Sequence, residues 1–236
     1  MKSLLKKIRN RIAYRIAMSS GKKYEDFLRK IGCSIGENID WSDPKTIDID
    51  VTRPCLVEIG NNVRINKNFT LMTHDGSSMV FRNLFKDFIP ASGMVHIGNN
   101  VYFGRQCTVL KGVTIGDNCI IGFGSLVTKS IPANSVAVGR PAKVVSSIEE
   151  YYKKRKEIAL QEAFEYARVL TKKLGRKPTM FDLYEEFPFY LDGDAEDPGL
   201  RIPISRQTRG ISEEWKKNHK ALFRNFEEFL EAAGIE

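Results

Sequence analysis

Histidine, long apolar runs and acidic residues near the N-terminus are what this 236-residue chain has least of. Only His74, His96 and His219 occur, so few side chains can exchange a proton near neutral pH or ligate a borderline metal. No stretch approaches the roughly 18 apolar residues of a membrane span, and no apolar segment follows the basic N-terminus as in a secretory leader; a cytoplasmic protein is expected. The four cysteines, Cys33, Cys55, Cys107 and Cys119, form no CxxC pair. They read as reduced packing residues rather than as disulfides or metal ligands. Residues 1–23 hold eight bases (Lys2, Lys6, Lys7, Arg9, Arg11, Arg15, Lys22, Lys23) and no acid. Subtracting these eight from 37 Lys and Arg leaves 29, which balances the 29 Asp and Glu, so the whole net charge of +8 belongs to this arm. A nucleic-acid surface would spread its charge over the folded body, and no such partner is expected.

What the chain does have is a period of six. Between Ile97 and Pro132 the first position of each hexad is Ile97, Phe103, Val109, Ile115, Ile121 and Val127, and Gly98, Gly104, Gly116 and Gly122 follow four of them. Six matches neither the 3.6 of a helix nor the 2 of a strand. It fits a chain that turns a corner every six residues, laying its first side chain inward and using small residues where the backbone bends. The count extends upstream from Ile35 through Trp41, Ile47, Arg53, Ile59, Ile65 and Leu71, with Arg53, Lys45 and Pro44 marking bulges or rims. Cys107 and Cys119 share the inward fifth position. Residues 77–96 number 20, not a multiple of six, so part of this stretch leaves the coil. Its Phe81, Leu84, Phe85, Phe88 and Ile89 are expected to pack on a neighbouring subunit or to wall a pocket.

Three segments follow: a basic helical segment over 1–34, the coil over 35–145 with its excursion at about 77–96, and a helical extension over 146–236. In the first, Leu4, Leu5, Ile8, Ile12 and Ile16 recur at helical spacing among cations, which suits either a cover for the open end of the coil or peripheral contact with an anionic membrane. A second helix is expected at about 24–31. In the extension, Ser147 and Glu150 form a capping box before a helix carrying Leu160 to Leu174 and ending at Gly175. A short helix near 180–186 and a final one opening at Ser212, with the stripe Trp215, Leu222, Phe223, Phe226, Phe229 and Leu230, complete it.

His74 occupies a fourth hexad position and should face outward beside the excursion, where an imidazole is suited to take a proton from an attacking hydroxyl or amine. The run Thr73-His74-Asp75, then Val95-His96-Ile97-Gly98-Asn99-Asn100-Val101-Tyr102-Phe103-Gly104, resembles the catalytic segment of acetyl-CoA-dependent sugar O-acetyltransferases of the maltose, galactoside and polysaccharide type. Gly122 to Pro132 and Val138-Gly139-Arg140-Pro141-Ala142-Lys143 are similar to later segments of the same family. The resemblance implies an all-β left-handed parallel β-helix, with a helical N-terminal arm and an α-helical C-terminal extension added here. It also implies a homotrimer, with His74 as general base between subunits. By the same resemblance the donor lies along Tyr102, Gly104, Gly122, Gly124, Ser125, Thr128 and Lys129, and Arg140 and Lys143 meet its phosphates. The N–H of Gly104 is a candidate oxyanion donor. Asp75 either orients His74 or caps the bend. His96 faces outward and His219 lies on the aromatic stripe.

No metal is expected: hexapeptide-repeat carbonic anhydrases use three histidines, and none follows His96 in the repeats. The acidic run Asp192, Asp194, Glu196, Asp197 departs from a calcium loop, having Asp197 and Pro203 where Gly and Glu are required. The chain therefore reads as an acetyl-CoA-dependent acyltransferase acting on a sugar hydroxyl, such as that of a surface-polysaccharide precursor. A xenobiotic acetyltransferase is the alternative within the class, and a non-catalytic trimeric scaffold the alternative outside it.

Overall fold

The computed structural model describes residues 14–195, 202 and 204–236. The expected helix through Leu4, Leu5, Ile8 and Ile12 lies outside the described residues, as do Glu196, Asp197 and Pro203 of the acidic run. Two compact units divide the chain, one ending at Tyr152 and the other beginning at Lys153. Among the described residues no helix is long and apolar enough to cross a membrane.

The first unit is a three-faced coil of short parallel strands. One face carries β1 (Ser34–Ile35), β4 (Val57–Ile59), β7 (Val95–Ile97) and β10 (Thr114–Ile115). The second carries β2 (Asp40–Trp41), β5 (Arg64–Ile65), β8 (Tyr102–Phe103), β11 (Ile120–Ile121), β13 (Ser135–Gly139) and β14 (Ala142–Ser147). The third carries β3 (Asp48–Ile49), β6 (Thr70–Leu71), β9 (Thr108–Val109) and β12 (Leu126–Val127). The chain visits the faces in rotation and every pairing is parallel except the closing β13–β14 hairpin. First and fifth hexad positions point inward: Ile97, Phe103, Val109, Ile115, Ile121 and Val127 are buried, as are Val101, Cys107, Val113 and Cys119.

One early count needs correction. Stepping by six from Ile35 lands on Arg53, but the inward third-face residue is Ile49, which pairs with Leu71. From Trp41 to Ile49 is eight residues and from Ile49 to Ile59 ten, so this coil holds six more residues than the usual eighteen. The surplus forms two 3-10 turns, Pro44–Thr46 and Pro54–Leu56. Arg53 sits at the mouth of the second turn, half-buried rather than in the core.

The excursion does leave the coil. From Leu71 to Ile97 there are 26 residues where six would serve, giving the 20 extra, and they contain α2 (Ser78–Phe85). Its base is closed by an antiparallel bridge between His74 and Ser92 and by the Gly93 amide donating to the Thr73 carbonyl at 2.9 Å. Leu84, Phe85, Phe88 and Ile89 remain more than half exposed. The corner between the first and second faces is built from a repeated asparagine. Asn38, Asn62, Asn100, Asn118 and Asn134 all take positive φ there, a conformation asparagine tolerates better than most residues. Their amides form a ladder, with Asn100 donating to Asn118 and Asn118 to Asn134, each at 2.9 Å.

At the other end α1 (Gly21–Ile31) covers the first coil. Ser20 caps its N-terminus, Gly32 at φ 110° ends it, and Tyr24 and Leu28 are fully buried. Arg29 donates to the carbonyls of Ile35 and Gly36, satisfying acceptors that no earlier coil meets.

The capping box forms as expected, Glu150 Oε2 accepting from the Ser147 amide and Ser147 Oγ from the Glu150 amide. It starts α3 (Ile148–Leu174), which Gly175 ends at φ 64°. The second unit has its own core of Phe164, Ala167, Leu183, Phe187, Tyr190, Phe229 and neighbours. α4 (Ile204–Gln207) precedes the final stripe, which is two helices rather than one. α5 (Ser212–Asn218) ends where His219 becomes extended, and α6 (Phe226–Ala232) restarts on an Asn225 cap. Residues 180–186 form turns rather than the expected helix. His219 stacks on Trp215 at 4.3 Å and donates Nε2–H to the Pro188 carbonyl, a structural role.

Candidate active site

The third-to-first corner carries the one histidine whose ring is fixed by a buried acid. His74 follows β6, and its Nδ1 lies 2.5 Å from Asp50 Oδ2. Asp50 follows β3 in the coil before, where its amide donates to the Leu71 carbonyl at 2.9 Å. Its side chain is 2% exposed, while that of His74 is 28% exposed. The rest of the carboxylate is saturated. Oδ1 accepts from the amide of Thr52 at 3.0 Å and its hydroxyl at 2.6 Å; Oδ2 accepts from the amide of Thr73 at 3.1 Å and its hydroxyl at 2.5 Å.

Burial works against ionisation of Asp50, but the bonds from Thr52, Thr73 and His74 outweigh it and hold the carboxyl well below the usual carboxylate range. An ionised carboxylate can only accept, so the proton between the two groups sits on Nδ1, and Nε2 is left with its lone pair. A neutral imidazole with a fixed tautomer and one free nitrogen at a partly open edge is equipped for general-base work. Asp50 was not among the residues singled out by sequence, because the inserted turns hide its register.

The Asp75 alternatives are resolved by its contacts. Oδ1 accepts from the Ser77 amide at 3.0 Å and hydroxyl at 2.5 Å, capping the bend, and Oδ2 pairs with Lys111 Nζ at 3.0 Å. Asp75 therefore does not orient His74; Asp50 does. His96 stands on the open first face against Glu58 at 3.0 Å.

The residues expected around the donor divide between two corners. Thr128 and Lys129 follow β12 on the same corner as His74, two coils further on, and both are exposed. Gly104, Gly122, Gly124, Ser125 and Arg140 gather at the second-to-third corner, where Arg140 Nη1 donates to the Gly124 carbonyl at 3.4 Å. Exposed Lys143 follows on β14, and Tyr102 lies half-open on the second face between Arg64 and Ile120.

Two expectations at that corner are corrected. The Gly104 N–H already donates to the Ile121 carbonyl at 2.8 Å as part of the coil ladder, so it is not a free oxyanion donor. A Cβ there would meet the backbone of Phe123 at 2.6 Å, which accounts for the glycine without a ligand. Ser125 is fully buried: its hydroxyl donates to the Gly122 carbonyl at 2.6 Å and accepts from the Gly139 amide at 3.3 Å. It stitches the corner and does not line a groove. Among the described residues no cluster of His, Cys, Asp and Glu has the makings of a metal site.

Against known proteins, residues 94–129 match the family described as bacterial transferase hexapeptide (six repeats). Protein CapG of Staphylococcus aureus is 39% identical over 131 residues, covering 54% of this chain and 73% of that protein. The galactoside O-acetyltransferase of Escherichia coli (strain K12) is 34% identical over 149 residues, covering 56% and 72%. A solved structure of galactoside acetyltransferase in complex with coenzyme A aligns at 30% identity with a TM-score of 0.44, over 62% of this chain and 82% of that one.

Proposed function

We propose, from the premise that this chain belongs to the bacterial hexapeptide-repeat transferase family, that it moves an acetyl group from acetyl-coenzyme A to a saccharide hydroxyl. The observation that carries the reading is the buried Asp50 carboxylate holding Nδ1 of an otherwise available His74. Nε2 takes the acceptor's hydroxyl proton as the oxygen attacks the thioester carbonyl. Collapse of the tetrahedral adduct breaks the C–S bond, and the imidazolium returns that proton to the departing thiolate. Asp50 remains ionised throughout and favours the imidazolium. We take the transfer to be direct: Cys33, Cys107 and Cys119 are buried with thiols raised by desolvation, and the exposed Cys55 is not among the hydrogen-bond partners of His74.

Thr128 and Lys129 lie on the His74 corner, and Arg140 and Lys143 would meet the donor's phosphates. We take the coil to be left-handed and the active assembly to be a cytoplasmic homotrimer. The exposed Leu84, Phe85, Phe88 and Ile89 support the assembly, since a patch of this kind is seldom left to water. The same patch favours a second reading, transfer to an amphiphilic xenobiotic hydroxyl, which a panel of sugars and antibiotics would separate from the first. The test is His74→Ala in an acetyl-CoA transfer assay, with donor binding followed by thermal shift. Transfer should fall by a factor of about 10² to 10⁴ while binding persists; a variant retaining near-normal transfer refutes the assignment. Absence of any acetyl-CoA shift in the native chain would favour a non-catalytic scaffold.

A further inference from the structure

The six residues inserted in the first coil do more than thicken a corner. The turn at Pro54–Leu56 leaves Arg53 at its mouth, directly after Thr52, on the edge that carries the candidate base. Arg53 Nη1 donates to Thr52 Oγ1 at 3.3 Å, and that oxygen is 3.5 Å from His74 Nδ1. A guanidinium thus stands one hydroxyl away from the imidazole.

Its charge is not spent on a neighbour. Asp50 is saturated by Thr52, Thr73 and His74 and has no ion pair with Arg53. Asp75 is taken by Lys111, and Glu58 by His96. Among the described residues Arg53 has no ion-pair partner. An arginine with four unclaimed N–H groups, half-buried and oriented by its bond to Thr52, suits a planar or tetrahedral oxyanion.

The side on which it stands decides what that anion belongs to. Along the corner the order is Arg53 in the first coil, His74 in the second, Lys111 in the third, and Thr128 and Lys129 in the fourth. A donor lying towards Thr128 and Lys129 occupies the far side of His74 and leaves the Arg53 side to the acceptor. Resting on the acyl-transfer reading for this orientation, we infer that Arg53 recognises a carboxylate or phosphate carried by the acceptor saccharide, close to the hydroxyl that is acetylated. Lys111 is held by Asp75, so Arg53 is the cation that discriminates.

The experiment compares the native chain with Arg53→Met, which keeps the apolar stem, and Arg53→Lys, which keeps the charge without the fork. Binding of glucuronate, glucose 6-phosphate and glucose is measured by titration NMR, and transfer to each is measured with acetyl-CoA. The native chain should bind at least one anionic sugar about tenfold more tightly than glucose, as a charge-assisted contact of this kind supports. Arg53→Met should reduce that ratio to near one with glucose unaffected, and Arg53→Lys should fall between. The preferred anion, carboxylate or phosphate, identifies the group recognised. Equal binding of charged and neutral sugars by the native chain, or an unchanged ratio in Arg53→Met, overturns the inference. If no sugar is acetylated by any variant, the reading of a saccharide acceptor fails, while the binding ratio still decides the role of Arg53.

Discussion

His74 and Asp50 lie 24 residues apart in sequence and 2.5 Å apart in space, joined from consecutive coils through Nδ1 and Oδ2. The acid is buried and fully hydrogen-bonded while the base reaches solvent, so the pair has a fixed side and a working side.

Replacing Asp50 by Asn should test both sides of that pair. An amide can present its N–H₂ to Nδ1 and stabilise the wrong tautomer, so transfer should drop by a factor of about 10² to 10⁴ with donor binding retained. Stability should respond to pH with a definite sign. The folded state holds the Asp50 carboxyl below its ordinary value of about 4, so it binds that proton less readily than the unfolded chain. The resulting stabilisation is present above about pH 4 and is lost as pH falls below it. Urea midpoints from pH 3 to 7 should therefore show Asp50→Asn weaker than the native chain near neutrality, with the gap narrowing towards pH 3.

Two glycines should resist substitution to different degrees and for different reasons. A Cβ on Gly60 would stand 2.7 Å from the carbonyl carbon and oxygen of Gly98, backbone that cannot yield. A Cβ on Gly112 meets nothing within 4 Å, and only its φ of 78° resists substitution. Gly112→Ala should cost about 1 to 2 kcal/mol, and Gly60→Ala more than about 3 kcal/mol. Chemical denaturation of the two variants measures the difference.

Asn118 carries two functions that substitution can separate. It holds a positive φ of 57° and links Asn100 to Asn134 in the corner ladder. Asn118→Gly loses the ladder alone and should cost about 1 kcal/mol or more; Asn118→Ala adds left-handed strain of about 1 to 2 kcal/mol. Equal midpoints for the two variants would contradict this division.

Ser125→Ala should lower stability by about 0.5 to 1.5 kcal/mol, since it removes the buried hydroxyl's bonds to the Gly122 carbonyl and the Gly139 amide. The KM for acetyl-CoA should stay within about twofold. A large rise in KM with unchanged stability would return Ser125 to the donor groove.

The sequence made the later coils legible because nothing interrupts them: counting by six from Ile97 names buried residues as far as Val127. The first coil deceived the same count for an arithmetic reason. Its two insertions, of two and four residues, add up to one hexad, so the phase returns at Ile59 and the slip leaves no trace downstream. Asp50 was hidden by that slip, while Arg53, which the count marked as a bulge or rim, does sit at the mouth of an inserted turn. The Ser125 correction was within reach, because it fills the same fifth slot that marked Cys107 and Cys119 as inward. Gly104 was not, since a motif shows that a glycine is needed and not whether its N–H is already used. The break between α5 and α6 had a local signal in Asn225, which apolar spacing alone overrode.

The 20-residue excursion has a consequence for the order in which the molecule assembles. Within the later coils, paired residues such as Ile97 and Ile115 are 18 positions apart, whereas Ile59 must find Ile97 across 38. Closing the longer loop carries an added entropic barrier of about 0.7 kcal/mol by the logarithmic rule, before the exposed α2 is counted. The coils from Ile97 onward therefore form the natural nucleus, and the earlier coils with their α1 cover dock on it afterwards. The His74 corner, which bridges the two halves of the coil, is completed late in folding.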